Sequence, residues 1–138
     1  MTKIKLCGLT RPEDIAEANE LNPEYIGFVF AAKSKRAVSP EKAAELKAQL
    51  SPEIQAVGVF VNEMPETVAR LLNENIIDIA QLHGQEDEAY IHRLRELTNK
   101  LLIQAFRVDG PESLAKAQKS PADLILLDSG AGGTGTAF

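Results

Sequence analysis

Ile4-Lys5-Leu6-Cys7-Gly8-Leu9-Thr10 begins the regular structure of this chain, and the turn inside it bears most directly on the fold. Residues 4–7 read as a short strand. A doubly wound nucleotide-binding sheet would follow that strand with a glycine-rich phosphate loop, and Cys7-Gly8-Leu9-Thr10 is no such fingerprint. The strand instead presents the single cysteine of the 138-residue chain at its C-terminal end.

Outward from this segment, strand-like and helix-like stretches alternate. Further strands are expected at 25–30, 55–61, 76–81, 101–108 and 123–127, with centres about 21 to 30 residues apart, a spacing that suits strand–helix–strand crossovers and excludes hairpins. Thr10-Arg11-Pro12-Glu13 reads as a capping box that starts a helix carrying Ile15, Ala18 and Leu21. Ser39-Pro40 starts a second helix by cap and first-turn proline, Pro65 a third, Asp87 a fourth and Pro111 a fifth. Several strands are apolar nearly throughout, as expected where helices cover one face of a parallel sheet and a core fills the other. No linker or low-complexity tract interrupts the pattern, so residues 1–138 are expected to form one α/β domain.

Both a doubly wound sheet and a (βα)8 barrel satisfy this alternation. The barrel is favoured because polar and glycine residues recur after most strands: Cys7-Gly8, Lys33 to Arg36, Asn62, Gln81 to Gly84, Arg107 and Asp128. In a barrel these ends converge on one mouth.

Composition narrows the function. A formal net charge of −5 without a Lys/Arg block argues against general nucleic-acid or acidic-membrane binding. One cysteine forms no internal disulfide. The start, Met1-Thr2-Lys3-Ile4, runs directly into a strand-like segment, and no apolar run approaches membrane length, so a cytoplasmic protein is expected.

Cys7 and Asp128 are the candidate proton-transfer pair. Asp128 ends the apolar run Leu124-Ile125-Leu126-Leu127 and opens Ser129-Gly130-Ala131-Gly132-Gly133-Thr134-Gly135. A buried unpaired carboxylate is expensive, so packing is a poor explanation for it; an Asx-turn is the plainer alternative. Cys7 read plainly is a small buried hydrophobe, but its place before the helix that begins near Thr10 would favour a thiolate. Lys33-Ser34-Lys35-Arg36 is the densest positive cluster, either a solvated loop or a local reversal of sign that holds an anion; the fork of Arg36 suits a planar carboxylate. Gln81 and His83 sit together at the fourth strand's end, whereas His92 lies in a helix and reads as solvated. The glycines 130–135 are either a plain loop or a backbone cradle for an anion, without the lysine of a nucleotide P-loop. Asp78, within Ile76-Ile77-Asp78-Ile79-Ala80, reads as structural, paired with a lysine or arginine. No cluster has metal-ligand spacing.

Taken in order, six motifs resemble the phosphoribosylanthranilate isomerase family of tryptophan biosynthesis, and the likeness runs through nearly the whole chain. They are Lys5-Leu6-Cys7-Gly8-Leu9-Thr10; Gly27-Phe28-Val29-Phe30; Lys33-Ser34-Lys35-Arg36 followed by Val38-Ser39-Pro40; Gly58-Val59-Phe60-Val61-Asn62; Gln81-Leu82-His83-Gly84; and Leu127-Asp128-Ser129 with Gly133-Thr134-Gly135. The resemblance implies a (βα)8 barrel and an isomerase that performs the Amadori rearrangement of N-(5-phosphoribosyl)anthranilate. It implies Asp128 as general acid, Cys7 as general base, Arg36 as the clamp on the anthranilate carboxylate, and Gln81, His83, Gly133 and Gly135 as substrate-binding residues. It implies no cofactor and no metal, and a small phosphosugar–anthranilate as the partner. The alternatives are a related (βα)8 phosphosugar enzyme and a catalytically silent fragment. The departure from the family is extent: about six of eight units are expected here, which leaves the phosphate-binding loops of units seven and eight unaccounted for and suggests self-association through open barrel edges.

Overall fold

The computed structural model describes residues 5–31, 34–84, 86–107 and 110–128. Its elements alternate strictly: β1 (Lys5–Cys7), α1 (Pro12–Leu21), β2 (Tyr25–Val29), α2 (Pro40–Gln49), β3 (Gln55–Phe60), α3 (Pro65–Asn73), β4 (Ile79–Leu82), α4 (Glu88–Leu97), β5 (Leu101–Arg107), α5 (Pro111–Gln118) and β6 (Leu124–Asp128). The six strands form one sheet in the order β1-β2-β3-β4-β5-β6, every neighbouring pair parallel. That order decides between the two folds. A doubly wound sheet reverses direction at a switch point, whereas a sheet that always adds the next strand on the same side is the wall of a barrel.

Helix starts follow chain chemistry. Ser39 Oγ accepts from Lys42 N at 3.1 Å ahead of Pro40, and the Asp87 carboxylate accepts from Tyr90 N at 2.9 Å. At α1 the expected box of Thr10 with Glu13 gives way to Asp14. Its carboxylate accepts from the backbone of both Thr10 and Arg11 at 3.1 Å, with Arg11 as the N-cap and its guanidinium on the same carboxylate at 2.8 Å. The fourth strand also begins later than expected. Ile76 and Ile77 turn back on α3, each donating to Leu71 O, and Ile77 packs into the helix-side core.

Strand alternation divides the side chains between two layers. Ile26, Phe28, Ala56, Phe60, Ala80, Leu82 and Leu102 face the helices and pack with Ile15, Leu46, Leu71, Leu72, Ile91 and Leu94. Each fully buried leucine, isoleucine or phenylalanine among them contributes about 1.5–3 kcal/mol. The opposite face carries a smaller cluster of Val57, Ile79 and Ile103, with Tyr25 and Leu126 against it. On β6 the helix-side residues Ile125 and Leu127 are 39% and 51% exposed, so no described helix covers that strand.

The N-terminal ends of the strands are held by carboxylates in a repeated arrangement. Asp78, just before β4 and not within it, accepts from Ala56 N at 2.8 Å, pairs with Lys47 of α2 at 3.1 Å, and donates its own N–H to Ala56 O. Two strands later Asp123, just before β6, accepts from Leu102 N at 2.8 Å, pairs with Arg95 of α4, and donates its N–H to Leu102 O. The structural reading of Asp78 is therefore borne out, and β6 extends from 124 through Asp128, one residue later at each end than expected.

Acid sensitivity follows from these carboxylates. The Arg11 side chain and then the Thr10 N–H hold Asp14 below its ordinary 3.8. Burial of Asp123 opposes ionisation, but the Arg95 hydrogen bond and the Leu102 N–H outweigh it and also leave that carboxyl below 3.8. Depressed folded values give stability that is present above the unfolded pKa and lost as pH falls through the folded one. The urea midpoint of the chain is expected to be flat near neutrality and to fall from about pH 4 downward. Asp123→Ala should cost about 1 kcal/mol at pH 7 and flatten part of that acid limb; parallel acid limbs for parent and variant would remove Asp123 from the account.

Candidate active site

The C-terminal ends of the strands hold the candidate residues. Cys7, the last residue of β1, is exposed there. Gly8 follows with φ +85°, a left-handed conformation that favours glycine. Space makes the same demand: a Cβ on Gly8 would lie 2.6 Å from Arg36 Nη1. The Arg36 guanidinium therefore lies across Gly8 and reaches Cys7 O at 3.5 Å. The loop that delivers it is shaped by Ser34, whose N–H donates to Ala31 O and whose Oγ accepts from Arg36 N at 3.1 Å, before Val38 N returns to Val29 O. Cys7 and Arg36 are thus brought together, as the sequence led us to expect; Lys33 lies outside the described residues.

A polar row crosses the inner face from β1 to β4. Lys5 Nζ donates to Gln81 Oε1, three strands away, and Gln81 Nε2 lies 3.1 Å from His83 Nδ1. Gly27 makes room for this row: a Cβ there would lie 2.8 Å from Cys7 Sγ and 3.1 Å from Lys5 Cε. Burial pushes the Lys5 ammonium below its ordinary pKa, and the charge of Cys7 pulls it partly back. Gln81 is 3% exposed, so its amide must be satisfied within the wall. A lysine only donates, so the Gln81 oxygen faces Lys5 and its NH2 faces His83. Nδ1 of neutral His83 is then the acceptor, and its proton sits on Nε2.

Below His83 is a buried carboxylate that the sequence analysis missed. Glu86 accepts from Asn62 N and Gly84 N, both at 2.8 Å, and its own carbonyl accepts from Gln104 Nε2 at 2.7 Å. It ties the loop after β3 to the loop after β4. Tyr90 OH closes the same corner on Glu63 O at 2.6 Å, and burial, with Glu86 and the neighbouring acids, lifts its hydroxyl well above the ordinary 10. In sequence Glu86 is one acid in a polar turn; its one signal is its position two residues beyond Gly84.

Asp128 is the last residue of β6, in register with Arg107 of β5, at the same end of the sheet as Cys7. Only its backbone is described. Alternation from Leu124 and Leu126 puts position 128 on the sheet face that also bears position 7. Gly133 and Gly135 lie outside the described residues. Among the described residues no group of three or more His, Cys, Asp and Glu is placed to hold a metal ion, and no helix is long and apolar enough to cross a membrane.

A singly wound parallel wall with a thiol, an arginine and a Lys–Gln–His row at its strand C-termini defines a barrel enzyme of the (βα)8 class. The model of the N-(5'-phosphoribosyl)anthranilate isomerase family matches residues 4–138. An N-(5'-phosphoribosyl)anthranilate isomerase of Thermoanaerobacter sp. is 41% identical over all of this chain and 68% of its own length. The crystal structure of the Thermotoga maritima phosphoribosyl anthranilate isomerase superposes with a TM-score of 0.85 at 34% identity, covering 100% of this chain and 66% of that one. A phosphoribosyl anthranilate isomerase solved with reduced 1-(o-carboxyphenylamino)-1-deoxyribulose 5-phosphate superposes with a TM-score of 0.82 at 36% identity, over 93% of this chain and 65% of that one. This chain belongs to the N-(5'-phosphoribosyl)anthranilate isomerase family, and it spans about two thirds of the length of these relatives.

The Lys5–Gln81 contact gives a spectroscopic expectation. In ¹⁵N spectra above the imidazole pKa, His83 should be in the Nε2–H form, and Lys5→Met, which frees the Gln81 amide to turn over, should give a mixture of tautomers. A His83 tautomer unchanged in Lys5→Met would show that the amide is oriented by something else.

Proposed function

We propose that this chain carries the proton-transfer and anthranilate-binding part of an isomerase that converts N-(5-phosphoribosyl)anthranilate to 1-(2-carboxyphenylamino)-1-deoxyribulose 5-phosphate, a step of tryptophan biosynthesis. The observation that carries the proposal is the family match over residues 4–138. The placement of Cys7 beside Arg36 at the strand C-termini supports it.

In this reading Asp128, as a carboxylic acid, gives its proton to the furanose ring oxygen. The C1–O bond breaks and the anthranilate nitrogen takes up the positive charge as a Schiff base. Cys7, as thiolate, takes the proton from C2, and the C2–H electron pair moves to give the enolamine. Tautomerisation to the C2 ketone completes the rearrangement. The two groups serve only when their surroundings hold one protonated and the other not. Arg36 receives the anthranilate carboxylate on its two parallel donors. The Nε2–H of His83 and the backbone of Gly133 and Gly135 offer further donors to the substrate. Because Arg36 lies over Gly8, the carboxylate is presented on the Cys7 side of the mouth.

A chimera joining residues 1–138 to the remaining third of the Thermoanaerobacter relative is expected to consume the fluorescent substrate. In it Cys7→Ala and Asp128→Asn should each lower kcat by about 10²-fold or more. Arg36→Lys should lower kcat/KM by roughly 10- to 150-fold, because an ammonium does not reproduce the bidentate fork. An inactive chimera that is fully folded would reject the isomerase reading, and near-parental turnover in any one variant would reject the role given to that residue.

We also propose that the 138-residue chain self-associates. Among the described residues β1 and β6 each pair on one side only, and Leu124, Ile125 and Leu127 are exposed. Unpaired apolar strand edges recruit other strands. Light scattering over a concentration series should give a mass that rises with concentration; a constant mass near 15 kDa would overturn this.

A further inference from the structure

The rearrangement described above gives Lys5 no part, yet Lys5 points into the inner face of the wall, where a cation is costly unless it serves another charge. Its side chain does not follow its own strand. It crosses to Gln81 on β4 and passes over Gly27, the residue that also leaves space for the Cys7 sulfur. The distances of Cys7 Sγ and Lys5 Cε from the missing Gly27 Cβ put those two atoms within about 6 Å of each other. Arg36, the other cation at this edge, meets the backbone oxygen of Cys7. Lys5 is therefore the cation on the interior side of the sulfur. Its tether to Gln81, a residue buried in the wall, fixes where the charge sits.

We propose that Lys5 is a positioning residue for Cys7: its ammonium, tethered by Gln81 and seated over Gly27, stabilises the negative charge that Cys7 carries when it is ready to accept a proton. The purpose of that charge rests on the isomerase reading; the pairing of Lys5 with Cys7 does not. No covalent step is assigned to Lys5. It stays a cation throughout, and the proton taken from C2 remains on Cys7.

Cys7 is the only cysteine in the chain, so alkylation by neutral iodoacetamide, followed by intact mass, reads this one sulfur in the 138-residue protein without any catalytic turnover. At pH 7 the rate follows the thiolate population and its nucleophilicity together. A unit charge about 7 Å away, at a dielectric between those of protein surface and water, then translates into an alkylation rate roughly 2- to 10-fold slower in Lys5→Met. Lys5→Arg should alkylate at close to the parental rate. Lys42→Met, which removes the same charge from α2 on the helix side, should also match the parent. A merely structural role for Lys5 predicts no slowing, because Cys7 is already exposed and loosening the wall leaves its sulfur at least as accessible. Should Lys5→Met unfold, Lys5→Gln keeps a polar head for Gln81 and carries the same expectation. Alkylation of the Lys5 variants as fast as the parent or faster, or an equal slowing in Lys42→Met, would overturn the proposal. An inactive chimera with slowed alkylation in Lys5→Met would discard the isomerase purpose and leave the pairing standing.

Discussion

A lysine that crosses the inside of a β-wall imposes conditions on everything near it. Lys5 starts on the first strand and its ammonium meets the Gln81 side chain of the fourth, so the wall must curve enough to aim the two side chains at each other. A flat sheet with strands about 4.8 Å apart would separate β1 and β4 by roughly 14 Å and would stand the two side chains parallel, not facing. The contact also requires an absent side chain at Gly27 and an acceptor, not a donor, at Gln81. One hydrogen bond thus requires curvature, a small residue and an amide orientation together, and the polarity of the row out to His83 follows from it.

The wall is organised differently at its two ends. At the N-terminal ends, Asp78 and Asp123 spend their acceptor capacity on backbone N–H groups and on Lys47 and Arg95, and their chemistry is finished. At the C-terminal ends Cys7 is exposed and, among the described residues, the Arg36 guanidinium meets only the Cys7 carbonyl, at 3.5 Å. Between them the stacked rings of Phe30 and Phe60, with centroids 5.1 Å apart, lie on the helix side under the mouth. Glu86 adds a clamp that binds two adjacent loops through their backbones and holds the approach to His83 in shape.

Much of the fold was legible in the sequence because its signals are local. Prolines at 12, 40, 65 and 111 mark first helical turns, and apolar runs mark strands, each read within a few residues. The errors arose where two local solutions compete. Asp14 and Glu13 are both carboxylates in a first turn, and only the one at the third helical position reaches back to the cap. Ile76 and Ile77 have the composition of a strand but are used to close α3. The placement of the candidate residues Cys7, Arg36, Gln81 and His83 at strand ends was legible in the sequence. The contacts of Lys5 and Glu86 were not, since Lys5 meets Gln81 across 76 positions and Glu86 is one acid among several in a polar turn. Sequence order says which strand end carries a group, but not which groups face each other across a curved wall.

The two-ended layout has a consequence for how such a protein adapts over generations. Ion pairs at the N-terminal rim can be strengthened, weakened or replaced without breaking the contact between Cys7 and Arg36, because Lys47, Asp78, Arg95 and Asp123 bond to neither. The two rims are therefore free to drift separately. A lineage moving to hotter surroundings has Lys47, Asp78, Arg95 and Asp123 to work with. One whose C-terminal rim changes has Ser34 and Arg36 to work with, at the other end of the wall.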